Sequence, residues 1–245
     1  MSKLSQRPLY REVDRLIEES LAAHGMRKRT SGYFTREITT VVRGSVGLNS
    51  AKKYGFSIYP IVGVRHAPLE QLLAELEEQE FHPYAPSTAC SPIGYLSEPR
   101  GFREWSFEEG RDNAATVADM VQQITTVGFR YMEENSTLEK MCERIAVDRH
   151  FTMWSDIYQL PVGYMMLGRF DDAQKVVCDH LAKIAADRPP TIEEIEANLG
   201  EKLDPRVLER LEKTKDDPIP AHENYRRFAE RFFRRLDEER SRARG

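Results

Sequence analysis

The side chains able to do chemistry are few and scattered. Six histidines (His24, His66, His82, His150, His180 and His222) and three cysteines (Cys90, Cys142 and Cys178) occur in 245 residues. None falls in an H-E-x-x-H helix motif or a C-x-x-C pair, the spacings that gather ligands around one zinc ion. No metal and no cofactor are therefore expected. Cys178-Asp179-His180 sets three reactive groups side by side. Consecutive helix positions point about 100° apart, so these three cannot converge on one atom, and His180 reads as a helix-interface residue. Asp148-Arg149-His150 could supply an acid–base pair from a loop. With no nucleophile motif nearby, a solvated segment is the favoured reading.

Gly44 to Lys53 contains two glycines and two lysines, the ingredients of a phosphate loop. Its spacing does not match G-x-x-x-x-G-K-[ST], and the segment leads into a strand rather than a helix N-terminus. The hydrolase elbow G-x-S-x-G and the kinase motifs are missing as well. An enzyme would then need a dispersed site. The residues to build one are Arg65, His66 and His150, at a sheet–helix junction, acting on a nucleotide or another phosphate-bearing substrate.

Two basic groups stand out. Arg27, Lys28 and Arg29, with Lys52, Lys53 and Arg65, are placed either to gather at one end of a sheet or to protect its edge from pairing. The second group lies at the C-terminus, where residues 221–245 hold eight arginines against five acids, a local charge of +3. Helical spacing puts Tyr225, Phe228, Ala229, Phe232 and Leu236 on one face and Arg227, Arg231, Arg234 and Arg235 on the other. These four arginines are the candidate partner-binding residues, for an acidic protein or a nucleic-acid backbone. Interspersed Glu230, Asp237, Glu238 and Glu239 weaken that field, and the aromatic face must be covered by something.

The elements that would position these groups follow from periodicity. Leu9, Val13, Leu16, Ile17 and Leu21 predict a helix over 8–24, stopped at Gly25. Residues 54–64 alternate with the two-residue period of a strand, and Pro60 implies an edge or a bulge there. The run from Tyr33 to Leu48 is rich in β-branched residues, with turn chemistry at Asn49 and Ser50. Further strands are expected at 26–30, 90–97 and 102–108, and a short helix at 67–79. From Arg111 the pattern is helical. Val117, Met120, Val121, Ile124, Val127 and Tyr131 form its clearest stripe. Ser136 to Glu139 and Thr191 to Glu194 read as capping boxes, and Asp204-Pro205 as a helix start.

The fold class is thus α+β: an N-terminal helix on an antiparallel sheet of four to five strands, then an all-helical C-terminal half. The domain reading is 1–110 for helix and sheet, 111–214 for helices packed on the sheet, and 215–245 for a linker and an amphipathic helix. A 40% hydrophobic and 31% charged composition is globular. Net charge of −4 argues against generic nucleic-acid binding. With no long apolar run, no leader-like segment and an odd set of cysteines, a cytoplasmic protein is expected, not a membrane one.

Two segments carry resemblances. Leu160, Gly163, Tyr164, Leu167, Gly168 and Ala173 lie at spacings that resemble a single tetratricopeptide hairpin near 157–181. Pro161 occupies the usual glycine position and no second copy follows, which implies a local packing solution rather than a peptide-binding array. The first 75 residues or so, an amphipathic helix, Gly25 to Arg29 and strands ending in Ile61-Val62-Gly63-Val64, resemble small uncharacterised bacterial proteins that include immunity partners of secreted toxins. That resemblance implies a non-enzymatic interaction protein, an immunity or phage-defence accessory that binds a protein partner or a second copy. An enzyme with a dispersed site and nucleic-acid binding through the arginine face are the alternatives.

Overall fold

In the computed structural model, residues 7–51, 56–147, 156–187, 192–200, 202–204, 206–208 and 220–244 are described. Helix α1 (Arg7–Ala23) buries Leu9, Val13, Ile17 and Leu21, the stripe its sequence spacing predicts. Gly25 ends it at φ +78°, a conformation a side chain resists, and Met26 N–H closes the helix on Leu21 O at 3.1 Å. The chain is thereby aimed into β1 (Arg27–Thr30).

Strands β1, β2 (Tyr33–Glu37), β3 (Val42–Ala51) and β4 (Phe56–His66) form an antiparallel meander, each paired with the next. The far edge of β4 is shared. Strand β5 (Ala89–Pro92) pairs with Ile61–Val64, and β6 (Trp105–Phe107) pairs with Phe56–Ile58. Six strands result, and β1, β5 and β6 have four residues or fewer. Pro60 therefore sits at neither a sheet edge nor a bulge. It falls with Tyr59 in the gap between β5 and β6, where the ladder is already interrupted and a missing donor costs little.

The run from Tyr33 to Leu48 divides between two strands. Thr39 Oγ1 accepts the N–H groups of Val41 (3.3 Å) and Val42 (3.0 Å), so a threonine turn folds the segment back. Asn49 and Ser50 make no turn. They continue β3 opposite Tyr59 and Ile58, because β3 must run ten residues to match its partner.

Cross-strand register sorts the sheet into two unlike faces. Phe34, Val46 and Val62 align across three strands on one face, with Val42, Val64, Phe56 and Ile58 beside them, all buried. Helices cover this face: α3 (Asn113–Gln123), a π-helical turn (Ile124–Gly128) and α4 (Phe129–Glu134). A Cβ on Gly128 would stand 2.9 Å from Val62 Cγ1, so glycine sets how closely helix and sheet approach. The wide turn adds a residue to the helix, and the inward face continues through Gly128 and Met132 while Val127 is only half-buried. Helix α3 is held to β6 by Trp105 Nε1 donating to Asp119 Oδ2 at 2.6 Å.

Helix α2 (Ala67–Glu77) follows β4 directly, α6 (Gln159–Met166) packs on it, and α5 (Leu138–Val147) packs on α6. Thr137, rather than Ser136, caps α5 by accepting Lys140 N–H. The chain divides into two compact units, Met1–Arg169 and Phe170–Gly245, so the tetratricopeptide-like pair is divided between them.

The second unit contains α7 (Phe170–Ala186), α8 (Ile192–Leu199), a helical turn at 206–208 capped by Asp204, and α9 (Pro220–Arg244). Tyr225, Phe228, Ala229, Phe232 and Leu236 of α9 are all buried. The His180 ring lies 4.3 Å from Tyr225, Arg240 pairs with Asp171 and His222 with Asp187, so α7 and α9 run antiparallel.

Enlarging Gly128 should therefore destabilise the sheet unit. Gly128→Val is expected to lower urea stability by about 1–3 kcal/mol through overpacking. Gly101→Ala, which meets nothing within 4 Å, should stay within about 0.5 kcal/mol of the parent.

Candidate functional site

The second face of the sheet is polar. One row across it reads Glu37, Arg43, Arg65, and the next Thr35, Ser45, Gly63, Cys90. Residues 81–88, the proline-containing connection between α2 and β5, lie against it and are held by side chains from four strands.

Arg65 is the centre of that attachment. Only 2% exposed, it donates from Nη1 to Pro86 O and from Nη2 to His82 O, and its guanidinium faces the Phe81 ring at 5.3 Å. Glu70, in the first turn of α2, sits 3.4 Å from Nη1. Its carboxylate accepts the Thr88 hydroxyl at 2.7 Å and is hydrogen-bonded by Gln159 of α6. Thr88 Oγ1 in turn accepts His66 N–H at 3.0 Å. Outside this centre Tyr33 Oη donates to Tyr84 O, Arg43 donates to Pro83 O, and Arg29 stacks on the Tyr84 ring at 4.1 Å. The Ser45 and Ser87 hydroxyls meet at 2.7 Å.

Burial sets the electrostatics. It depresses Arg65 below the ordinary guanidinium range and pushes the Glu70 carboxyl up, against the pull of Thr88, Arg65 and Gln159. Desolvation of such a pair consumes most of its Coulombic gain, so its main product is position rather than net stability. Arg65 Nε is buried with no hydrogen-bond partner, a further cost of this placement.

His66 is equally committed. As N-cap of α2 its Nδ1 accepts Leu69 N–H at 3.2 Å, which fixes the neutral ring with its proton on Nε2. Burial lowers its pKa, against an opposing pull from Glu139. Arg65 and His66 are thus adjacent but face opposite sides of the sheet, and both are buried. His150, with Asp148 and Arg149, lies outside the described residues.

The basic group around β1 is dispersed. Lys28 bonds Asp14 and Glu18 of α1, both at 2.8 Å, and these bonds raise its ammonium above the usual lysine range. Arg29 serves Tyr84 and Thr35, and Arg65 is internal. Lys52 and Lys53 lie outside the described residues. No family model, curated protein or solved structure matches the chain.

On α9, Arg227 and Arg234 are exposed, Arg231 is half-buried, and Arg235 bonds Glu239 at 2.9 Å. On α7, Asp179 pairs with Lys175 while Cys178 is exposed, so the Cys-Asp-His triplet does not converge. Burial raises both remaining thiols, Cys142 to about 12. Among the described residues no His/Cys/Asp/Glu group could hold a metal ion, and no helix is long and apolar enough to cross a membrane.

Sequence reasoning missed Glu70, Thr88 and the role of residues 81–88. No local spacing links positions 65, 70, 82, 86 and 88. Only strand register and the return of the chain bring them together.

Two outcomes test these assignments. Arg65→Met leaves Glu70 buried without its cation and should cost about 3–5 kcal/mol in denaturant unfolding, with much of the loss recovered in Arg65→Met/Glu70→Leu. The depressed His66 pKa makes its contribution complete above the ordinary imidazole value near 6.5 and lost as the pH falls below it. Stability should therefore fall as the pH drops from 7.5 to 5, and His66→Asn, a cap that does not titrate, should flatten that part of the profile.

Proposed function

We propose that this protein is a non-enzymatic interaction component that presents the uncovered part of its polar sheet face to a protein partner. The observation that carries the reading is Phe102, 62% exposed, with its ring 5.4 Å from that of Tyr59. The contacts of residues 81–88 gather at the Arg65 end of the face and on Tyr33. Toward the other end, Tyr59, Ile61 and Pro92 remain only half-buried, and the last two are cross-strand partners. Single exposed apolar residues are ordinary, whereas an aromatic pair beside further half-buried apolar groups forms a contiguous patch of the kind interfaces use.

Further support comes from the groups suited to chemistry: Arg65, His66 and Glu70 hold the fold together and are withdrawn from solvent. The finer form of the proposal, an immunity or phage-defence accessory role in the cytoplasm, draws on the resemblance of the first 75 residues. The arginine face of α9 is the second surface, through exposed Arg227 and Arg234.

The test is affinity capture from the source cells with the parent, Phe102→Asp and Arg227→Glu/Arg234→Glu. One stoichiometric protein held by the parent and by the α9 variant, and lost with Phe102→Asp, is the expected result. Loss with the α9 variant alone transfers the surface to α9. Recovery of the protein by itself in every case, or a partner indifferent to both variants, sinks the proposal.

A further inference from the structure

Glycine inside a strand weakens it, and marks a bulge, a bend or a place where another group comes close. Gly47 lies in the middle of β3 at an ordinary φ, and the β3–β4 register runs without a shift from Val42 to Ala51. A bulge is therefore not its reason. Nor is crowding, since a Cβ there would stand 3.8 Å from the Tyr33 ring and 3.9 Å from Ile61 O, ordinary contact distances. At Gly44, Gly63, Gly94, Gly128 and Gly163, also of ordinary φ, a Cβ would come under 3.0 Å from another group. Among the described residues only Gly101 shares the freedom of Gly47, and it immediately precedes Phe102.

Register places Gly47 in a row across four strands, Tyr33, Gly47, Ile61 and Pro92, on the polar face. Asn49 and Tyr59 form the next row, and the Phe102 ring leans on Tyr59. Tyr33, Gly47, Tyr59, Ile61 and Pro92 are all half-buried. The missing side chain between Tyr33 and Ile61 leaves a hollow one side chain deep. No residue in these two rows is charged. Arg100 and Arg103, to either side of Phe102, are paired with Glu98 and Asp119. A charged group seated here would lose its water with nothing to replace it. A nucleic-acid base finds no common platform either, since the Tyr59 and Phe102 rings are tilted by 52°.

Building on the Phe102 surface as a docking face, we propose that the hollow over Gly47 receives one uncharged apolar side chain of the protein partner, leucine- to phenylalanine-sized. Tyr33 and Ile61 flank it, Tyr59 and Phe102 extend the contact, and exposed Asn49 offers its amide to the partner's backbone. Anchors seated in a hollow that excludes water carry much of an interface's binding energy.

Capped amino acids stand in for the anchor. N-acetyl-phenylalanine amide and N-acetyl-leucine amide, titrated into the isotope-labelled full chain, should saturably shift the backbone amide signals of Gly47, Tyr59 and Ile61. N-acetyl-arginine amide and N-acetyl-glutamate amide should not. Gly47→Leu fills the hollow with the chain's own side chain and should lose these shifts, whereas Gly47→Ala should keep the parent's Tm. Shifts absent throughout, equal with the charged probes, or retained in Gly47→Leu overturn the proposal. A Tm lowered by Gly47→Ala also overturns it, because the space would then be filled already. In affinity capture, Gly47→Leu should release the partner as Phe102→Asp does. A partner lost with Phe102→Asp but held by Gly47→Leu overturns the anchor and leaves the Phe102 surface standing. A partner indifferent to both variants sinks the surface and the anchor with it. A parent that sediments as a dimer, with Gly47→Leu a monomer, assigns the side chain to a second copy and overturns a separate partner.

Discussion

The guanidinium of Arg65 joins three parts of the first unit at one point. Its two terminal nitrogens hold the carbonyls of His82 and Pro86, and its charge is matched by Glu70 on α2. Glu70 reaches Thr88 and Gln159, so the sheet, the connection after α2, and helices α2 and α6 share one hydrogen-bonded set. A planar group with five donors in a fixed fork is suited to this, whereas a lysine could satisfy only part of it. The arrangement also explains why a polar sheet face can be buried. Thr35 and Ser45 lie beneath a connection that supplies hydrogen-bonding atoms of its own, with Ser87 meeting Ser45.

The sheet is consequently covered by two unlike materials. Its apolar face takes helices, and contact there is governed by steric fit, down to the missing Cβ of Gly128 over Val62. Its polar face takes an irregular segment held by Arg29, Arg43 and Arg65 from three strands. An irregular segment can follow a polar surface only if its carbonyls find donors, and Arg43, Arg65 and Tyr33 provide them while Arg29 stacks on Tyr84.

Much of this architecture was legible in the sequence. The α1 stripe, the stop at Gly25, the passage from strand to helix near Gly110 and the buried face of α9 all follow from one-dimensional period and cap chemistry. Turn chemistry misled at Asn49 and Ser50, since exposed polar residues look alike in a turn and in the last pairs of a long strand. Pro60 announced an interruption but not its kind, because a gap between two short strands depends on segments 30 to 45 residues away. Arg65 and His66 looked like reactive neighbours for a related reason. A strand sends consecutive side chains to opposite faces, and what each face holds is fixed by pairing and not by spacing.

Strand β4 serves as a common rail for β5 and β6, and this bears on how such a protein can change. The chain leaves β4's edge after Pro92 and returns to the same edge at Trp105, so both ends of the intervening segment are anchored on one strand. Closure of such an excursion depends only weakly on its length. Ile93 and Gly94 at its start are buried, so freedom is confined to the exposed stretch around residues 98–102, which carries Phe102 and can change without disturbing the register of the meander. The exposed aromatic thus sits on a stretch that can vary, while the strand that anchors both ends of the segment is tied by pairing along its whole length.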